Sequence, residues 1–263
     1  MGSPALRETY KRAYHGLLAS WCRRELEIGA AAEPFISFTF DDFPRSAYRA
    51  GGAVLASHGA RGTYYAAPGL AGSTDALGPH YDATDLRDLL ADGHELASHT
   101  FSHISSRTLP SAAYAAEIAR GETALHALTG VPPSGHFSYP FGEVTLGAKR
   151  AAGRSCASCR GTSPGANGPR VDLNLLRANR LYSTSVDRAT VRQLIARLVR
   201  PGSWLIFYTH DVRDDPSPYG CTPEYFDAVV RYAVESGARV VTVSAALAAL
   251  RACQGPAAPS ASL

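Results

Sequence analysis

Residues 38–47 read FTFDDFPRSA and place two carboxylates side by side where a run of β-branched and aromatic residues ends. Such a run favours a buried strand, so Asp41 and Asp42 stand where a strand should stop. Aspartate is common at strand ends and helix N-caps, and ordinary turn chemistry is one interpretation of the pair. The other interpretation is that one carboxylate binds a metal ion while its neighbour moves protons.

The composition is typical of a globular protein. The chain has 263 residues, of which 45% are hydrophobic and 19% charged, and α/β barrels commonly reach this length as one domain. The net charge of +3 is spread along the chain without a basic block, so we expect no nucleic-acid partner. Cys156 and Cys159 have CxxC spacing, but no second pair completes a zinc site, and five cysteines in all are more typical of reduced thiols than of disulfides.

The two ends of the chain carry no catalytic motif. Residues 5–27 have the pattern of an amphipathic helix, and we expect residues 1–33 to form a helical extension packed on a main domain at 34–252. Residues 253–263 are expected to be disordered. No apolar segment has the length of a signal peptide or a membrane span, which predicts a cytoplasmic protein without a membrane span. The oligomeric state stays open.

From residue 34 onward, strand-like and helix-like segments alternate. PFISFTF (34–40) and SWLIFYT (203–209) are typical of buried strands, and ARVVTV (238–243) is predicted to be the last strand. Between them lie helical patterns, such as the one capped by Asp82 and ended by Gly93. About eight strands separated mostly by helices favour parallel pairing. A closed or nearly closed (β/α) barrel is the first choice for this α/β fold, and an open doubly wound sheet is the second.

Acidic and imidazole side chains follow several of the predicted strands. They are Asp41 and Asp42, His99 and His103, and His210 with Asp211, and the SYPFG segment at 138–142 ends a further predicted strand. Because the strands of a parallel barrel end at one face, we expect these groups to form a single cup.

The spacing of His99 and His103 would let both reach one metal ion. Histidines at i and i+4 lie on one side of a helical turn, although lone histidines are more often structural. A carboxylate from another strand end would complete two imidazoles plus one carboxylate. That ligand set leaves coordination positions open for water, as in a hydrolytic site.

These motifs resemble those of the polysaccharide deacetylase family, which carries the NodB homology domain and is carbohydrate esterase family 4. TFDD is similar to the family's first motif and SHTFSH to its second, while FSYPFG and LIFYTHD are similar to its third and fifth. The resemblance covers roughly residues 34–250. It implies a distorted (β/α) barrel with seven or eight strands.

The resemblance also implies a role for each residue of the motifs. Asp41 becomes the general base and His210 the general acid. Asp42, His99 and His103 become the ligands of one divalent metal ion. Zinc is the expected metal, with cobalt or nickel as alternatives.

Residues of the third and fifth motifs are expected to contact the substrate. They are Tyr139, Pro140, Phe141 and Tyr208. The backbone N–H of Phe141 is expected to help hold the oxyanion. The family usually has a Leu at the position of Tyr208, where it walls the acetyl pocket, so the identity of the acyl group stays open.

Two further residues of the family pattern are not recognisable in the sequence. The third motif usually carries an Arg that hydrogen-bonds the catalytic Asp, but Ser138 stands there. Arg177 and Arg180 are candidates to replace it. The fourth motif usually supplies an Asp that tunes the acidic His, and Asp172 and Asp187 are both candidates.

The sequence thus predicts a metal-dependent hydrolase that removes N-acetyl groups from an amino-sugar-containing saccharide in cell-surface glycan biosynthesis. Removal of a formyl group or an O-acetyl group from a sugar precursor is the alternative within the hydrolases. A carbohydrate-binding module without turnover is the alternative outside them, although no ligand or base is missing. The polar loops at 160–175 and 211–223 are expected to shape the substrate cleft.

Overall fold

The structure, a computed structural model, describes residue 18 and residues 20–253. Its strands, in chain order, are β1 (Glu25–Glu27), β2 (Phe35–Asp41), β3 (Thr63–Ala66), β4 (Thr74–Asp75), β5 (Gly78–Pro79), β6 (Glu95–Ser98), β7 (His136–Ser138), β8 (Ser158–Arg160), β9 (Arg170–Asp172), β10 (Asn179–Arg180), β11 (Trp204–Thr209) and β12 (Arg239–Val240). Its α-helices are α1 (Ala53–Ser57), α2 (Ala83–Ala91), α3 (Ser111–Thr129), α4 (Leu146–Ser155), α5 (Arg188–Leu198), α6 (Pro223–Glu235) and α7 (Val243–Ala252). None of these described helices is long and apolar enough to span a membrane.

Eight of the strands form one central sheet in which every pairing is parallel. The order is β10, β11, β2, β3, β6, β7, β8, with β12 paired to the start of β2. Strand β8, at one end of the sheet, meets the segment that leads into β10 at one isolated parallel bridge between Arg160 and Leu176. The sheet therefore curls into a nearly closed, distorted barrel, and the fold class predicted from the sequence is confirmed.

A densely aromatic layer lies between the sheet and the helices that cover it. Strands β2 and β11 are buried at every position, as expected for parallel strands that are covered on both faces. Phe38 stacks on Phe207 with ring centroids 5.6 Å apart, and Phe226 of α6 meets Phe38 edge-on at 5.4 Å. This packing holds the adjacent ends of β2 and β11, which carry the candidate site residues.

Helix α2 begins and ends where the sequence predicts. Asp82 is its N-cap and forms a capping box with Asp85. Gly93 follows the helix with a φ of 81°, a left-handed conformation that favours glycine.

The N-terminal segment differs from its prediction. Most of the predicted helix at 5–27 lies outside the described residues, but its last residues form β1, which pairs antiparallel with β9. Trp21, placed on the apolar face of that helix, is 61% exposed. Residues 25–27 form a strand because they hydrogen-bond to β9. Sequence periodicity does not show that such a distant partner exists.

The C-terminal region also differs. The predicted strand at 238–243 contracts to β12, and Thr242 instead caps helix α7, which the sequence interpretation left unassigned. Ser244, in the first turn of α7, donates from its backbone N–H and its hydroxyl to the buried carboxylate of Glu95, at 3.0 and 2.8 Å. A carboxylate at a helix N-terminus is stabilising, so the docking of α7 depends on this distant partner. The predicted disordered tail lies outside the described residues after Cys253.

The segment after β8 fills the seam of the barrel. It runs from the carboxyl end of β8 to the amino end of β11. There Asn167 and Trp204 exchange two backbone hydrogen bonds of 2.8 Å. This is the opposite end of β11 from His210. The prediction that the whole loop at 160–175 shapes the substrate cleft is therefore wrong, because its middle lies at the far end of the barrel.

A buried lysine secures the chain entry to the barrel. The Lys149 ammonium donates to the carbonyls of Leu18 and Trp21 at 2.6 and 2.7 Å and lies 2.6 Å from a carboxylate oxygen of Asp172. Its side chain has no exposed surface, and that of Asp172 is 8% exposed. A buried charge requires partners of this kind.

We expect the substitution Lys149→Met to lower the free energy of unfolding by about 3–5 kcal/mol, because it leaves the Asp172 carboxylate buried and unpaired. Urea unfolding followed by circular dichroism measures this loss. Arg150→Met is the matched control, since Arg150 is exposed on the same helix. Equal stabilities of the two variants would contradict the anchoring role of Lys149.

Candidate functional site

The predicted site residues meet at one face of the barrel, at the carboxyl ends of the parallel strands. Strand β2 ends with Asp41 and is followed by Asp42, β6 is followed by His99, and β11 is followed by His210. Strands β7 and β8 end at Ser138 and Arg160, which are register partners. The single cup expected from the sequence is therefore formed.

Three of these side chains form the group best suited to hold a metal ion. The ligand atoms of Asp42, His99 and His103 all lie within 4.8 Å of one another. Both imidazole Nε2 atoms approach Oδ1 of Asp42, at 3.3 Å for His99 and 2.9 Å for His103. That Oδ1 atom is buried without a hydrogen bond of good geometry. A buried carboxylate oxygen with two nitrogens converging on it fits a divalent cation with nitrogen and oxygen ligands, such as zinc, cobalt or nickel.

The tautomer of His99 supports this arrangement. Its Nδ1 lies 2.7 Å from the carbonyl oxygen of Ser138, and a carbonyl can only accept a hydrogen bond. Nδ1 therefore carries the proton, which leaves the Nε2 lone pair directed toward Asp42. Histidines that bind metals are commonly oriented by a backbone carbonyl in this way.

The two histidines do not converge through a helical turn, as their spacing suggested. Residues 99–105 contain no helix, and Thr100 and His103 have φ values of 61° and 49°. The turn is held on α3 by backbone and side-chain acceptors of Glu117, which bind the N–H groups of Phe101 and Ser102 at 3.1 and 2.9 Å. A Cβ at Gly121 of α3 would lie 2.9 Å from the backbone of Thr100, so only glycine allows this close approach.

Backbone strain is concentrated at the site. Six described residues other than glycine have positive φ, and five of them lie here: Asp42, Phe43, Thr100, His103 and Phe141. Such conformations cost about 1–3 kcal/mol each. They persist where the surrounding structure holds them, and their clustering is typical of a functional site.

Asp41 faces a different partner from its neighbour. Its Oδ1 forms an ion pair with the Arg160 guanidinium, and it accepts a 3.4 Å hydrogen bond from the Ser138 hydroxyl. The same Nη2 of Arg160 donates to the Ser138 hydroxyl at 2.5 Å. Adjacent residues at a strand end point to opposite sides, so Asp42 turns to the histidines and Asp41 to the arginine.

Arg160 is the functional residue that the sequence interpretation missed. It has no exposed surface, and its guanidinium lies between the rings of Tyr65 and Tyr208, 5.1 Å from each centroid. The predicted replacements are wrong: Arg177 donates to the carbonyl of Pro164, and Arg180 is exposed on β10. The sequence does show that Arg160 lies at the strand that follows the third motif. It does not show the register that places Arg160 opposite Ser138, because that register forms only in the sheet.

Electrostatics keep both carboxyl groups ionised. Burial raises the pKa of Asp41, but the Arg160 guanidinium outweighs this effect with help from His99 and His210, and the pKa lies below its ordinary value. Burial also raises the pKa of Asp42, whereas the neighbouring imidazoles of His103 and His99 bring it well below the ordinary value. Each carboxylate thus has its own stabilising partners.

His210 lies beside this pair of carboxylates. Its Nδ1 is 3.1 Å from the carbonyl oxygen of Tyr219 and therefore donates to it, while Nε2 lies 3.9 Å from Oδ2 of Asp42. The prediction that Asp172 or Asp187 tunes this histidine is wrong. Asp172 pairs with Lys149, and Asp187 caps α5. A backbone carbonyl orients the ring instead.

The loop that supplies this carbonyl is fixed by Asp211. The fully buried carboxylate accepts hydrogen bonds from the N–H and hydroxyl of Ser217, at 2.8 and 2.5 Å. A Cβ at Gly220 would lie 2.3 Å from Oδ1 of Asp211, so glycine is needed for the loop to close on this carboxylate. Asp211 therefore orders the loop and does not face the metal ligands.

The residues expected to contact substrate fall into two groups. Tyr139 is 1% exposed and its hydroxyl donates to the carbonyl of Asn174 at 3.1 Å, and Pro140 is also buried. Both side chains belong to the packing behind the site, and the assignment of these two residues to substrate binding stays a prediction. Phe141 is 65% exposed with its ring 4.4 Å from that of His103. Tyr208 is 8% exposed beside Arg160.

Comparison with known proteins agrees with the motifs. Residues 29–155 match the family model described as polysaccharide deacetylase, which confirms the resemblance. No curated protein sequence matches the chain.

Solved structures of carbohydrate esterase family 4 share the fold. A pseudoenzyme of this family from Bacillus anthracis has 13% identity and a TM-score of 0.57, over 83% of this chain and 67% of that one. An acetyl xylan esterase from Clostridium thermocellum, solved with a cobalt ion, has 20% identity and a TM-score of 0.57, over 84% and 92%. A peptidoglycan N-acetylglucosamine deacetylase has 18% identity and a TM-score of 0.55, over 84% and 90%. At these identities the likeness establishes the fold.

We expect His103→Ala to remove most of the metal from protein that has been stripped with a chelator and reloaded with zinc, cobalt or nickel, because one of three ligands is lost. Elemental analysis measures the metal bound per chain. His58→Ala is the matched control, since His58 pairs with Asp227 away from the site. Unchanged metal content in His103→Ala would contradict the ligand assignment.

We expect Arg160→Gln to lower turnover by about 10- to 100-fold, the usual effect of removing a group that orients a site residue. The bound metal should stay unchanged, because Arg160 contacts Asp41 and not Asp42. Arg177→Gln is the control, and it should retain both activity and metal. Thermal unfolding of the metal-loaded variants separates this effect from loss of folding, and full activity of a folded Arg160→Gln would refute it.

Proposed function

We propose that this chain, whose residues 29–155 belong to the polysaccharide deacetylase family, is a metal-dependent hydrolase that removes N-acetyl groups from an amino-sugar-containing saccharide. The observation that carries the proposal is the division between neighbouring carboxylates. Asp42 faces two imidazoles that suit a metal ion, while Asp41 faces Arg160 and stays free to take a proton. A hydrolytic site needs both functions within reach of the same water molecule.

Asp42, His99 and His103 would hold the metal ion. When bound there, a divalent ion lowers the pKa of a water ligand and polarises the acyl carbonyl. Ser138 supports the ligand set from behind, since its carbonyl fixes the His99 ring. The expected metal is zinc, and cobalt and nickel suit the same donors.

Asp41 is the proposed general base. Its ion pair with Arg160 occupies one oxygen and fixes the carboxylate plane, so the other oxygen can receive a proton from water. A base must be ionised in order to act, and its lowered pKa keeps it so at neutral pH.

His210 is the proposed general acid. Because Nδ1 donates to the Tyr219 carbonyl, Nε2 is the nitrogen that faces the carboxylates and can carry a proton to the departing amine. Phe141 is proposed to supply its backbone N–H to the developing oxyanion, from a turn with a φ of 60°.

The acyl group is proposed to be acetyl, with formyl and O-linked acetyl as the alternatives. Tyr208 stands where the family usually has a smaller Leu, and its ring is fixed between Arg160 and Tyr182. A small acyl group is therefore favoured over a long one. Proteins with this fold include both an ester hydrolase and an N-deacetylase, so the choice between amide and ester needs a direct assay.

A role without turnover is the competing proposal, since one protein with this fold is a pseudoenzyme. The proposed base, acid and three ligands are all present in this chain, which supports catalysis. A role in cell-surface glycan synthesis and a cytoplasmic location stay predictions. Fractionation of the native host cells tests the location.

The function is tested by measuring acetate and formate release from oligosaccharides of N-acetylglucosamine, from sugar nucleotides carrying N-acetylated sugars, and from acetylated xylan. Release of acetate from an amide, dependent on added metal, is the expected result. Release of formate only, or of acetate only from xylan, would replace the proposal with one of the alternatives. No release from any acceptor by the metal-loaded protein would refute it.

We expect Asp41→Asn to keep its metal and to lose about two to four orders of magnitude in turnover, the usual contribution of a positioned base. His210→Ala should lose a similar factor on amides but less on aryl esters, whose leaving groups need no proton. Initial rates on a chitooligosaccharide and on 4-nitrophenyl acetate measure this difference. Equal losses of His210→Ala on the two substrates would argue against its role as the acid.

A further inference from the structure

We propose that Tyr219 and Tyr182 form a sugar-stacking subsite on the His210 side of the candidate metal centre, a surface that binds the apolar C–H face of a pyranose ring. The inference rests on the proposed function and names the part of the substrate that this chain grips beyond the reacting group. Sugar rings stack on aromatic side chains because their axial C–H groups form an apolar face that water solvates poorly.

Exposure of Tyr219 is the first observation. Five large hydrophobic side chains are exposed among the described residues: Trp21, Val131, Phe141, Tyr219 and Val234. Tyr219 is 55% exposed and stands next to His210. An aromatic ring left in solvent beside a polar site is typical of a ligand-binding surface.

The second observation is that the exposed ring is carried by a fixed backbone. Asp211 binds the loop through Ser217, and the N–H of Tyr219 donates to the Ser217 hydroxyl at 3.1 Å. The N–H of Ser183, next to Tyr182, donates to the carbonyl of Gly220 at 3.1 Å. The two segments that carry the rings are thus joined, and a pre-organised surface loses little entropy on binding.

The third observation is the mutual geometry of the rings. Tyr182 and Tyr219 are 5.8 Å apart at an interplanar angle of 81°, and their centroids lie 5.9 and 5.8 Å from that of His210. The imidazole is therefore bordered by both tyrosines. The hydroxyl-bearing ring of Tyr182 also meets Tyr208 edge-on at 5.6 Å, which keeps Tyr182 from turning away.

The chemistry of the proposed reaction places the sugar here. The general acid must touch the leaving nitrogen, so the sugar that bears this nitrogen lies against His210. Its ring, or the ring of the next sugar in the chain, then comes within contact distance of Tyr219 and Tyr182. Phe141 lies across the site over His103, so the two aromatic surfaces border the site from different sides.

Such a subsite binds substrate and transition state alike. Loss of the Tyr219 ring should therefore raise KM on oligosaccharides with little change in kcat. A role only in positioning His210 would instead lower kcat. This distinction is available because His210 is held by the backbone carbonyl of Tyr219 and not by its side chain.

The test compares Tyr219→Ala, Tyr219→Phe and Trp21→Ala, the last being an exposed aromatic control away from the site. Activity is measured on N-acetylglucosamine tetrasaccharide and on 4-nitrophenyl acetate, which has no sugar ring. Tyr219→Ala should raise KM for the tetrasaccharide by about 3- to 10-fold and leave kcat/KM for the aryl ester unchanged. Tyr219→Phe, which keeps the ring, should raise this KM less than Tyr219→Ala does, and Trp21→Ala should behave as the parent protein.

Binding provides the readout that does not depend on turnover. Calorimetric titration of metal-loaded Asp41→Asn, with and without Tyr219→Ala, uses the same tetrasaccharide and a xylotetraose. Weaker binding after Tyr219→Ala supports the subsite even if no acceptor is hydrolysed, in which case only the proposed function fails. Equal affinities of the two proteins, absence of binding to either saccharide, or an equal loss of activity on both substrates would overturn the subsite.

Discussion

Asp41 and Asp42 are adjacent carboxylates that are 5% and 7% exposed, and two neighbouring buried negative charges repel each other strongly unless each has a positive partner. The strand end separates them, because successive side chains point to opposite sides. Arg160 then pairs with Asp41, and the imidazoles of His99 and His103 surround Asp42. The rest of the candidate site is arranged around this separation of two like charges. Asp41 cannot collapse onto Asp42 and its imidazoles, since Arg160 holds it from the other side.

The residues around the two carboxylates help to keep them apart. Ser138 connects its two halves, because its hydroxyl contacts Asp41 and Arg160 while its carbonyl fixes His99. The strained turn at 99–103 is held against α3, where Gly121 permits contact with the backbone of Thr100. Strain at these positions lowers stability locally, and the densely packed aromatic core behind them offsets it. Stability and chemistry are thus divided between the packed layer of strands and helices and one face of the barrel.

The opposite face of the barrel has a different task. There Glu95 accepts hydrogen bonds from the N-terminal turn of α7 and from the hydroxyl of Thr63, and Asn167 pairs with the start of β11. In parallel barrels, conserved chemistry belongs at the carboxyl ends of strands and stabilising contacts at the amino ends. The loop at 211–223 stays on the chemical face, since Asp211 closes it beside His210. The loop at 160–175 instead fills the seam of the barrel, and its Asn167 reaches the amino ends of the strands.

The sequence by itself determined the parallel α/β barrel and the strand ends that carry the candidate site, and it supplied the proposal for the metal ligands, base and acid, because these depend on local patterns and on motifs of fixed spacing. Only the tertiary structure decided which groups support them. Arg160, and not Arg177 or Arg180, pairs with Asp41 because strand register places it opposite Ser138. The carbonyl of Tyr219, and not Asp172 or Asp187, orients His210 because Asp211 folds that loop onto it. Tyr139 and Pro140 became packing residues because their turn faces the core. Each of these outcomes depends on contacts between residues that are distant in the chain. Neither a strand register nor the position of a backbone carbonyl can be predicted from the types of the residues involved.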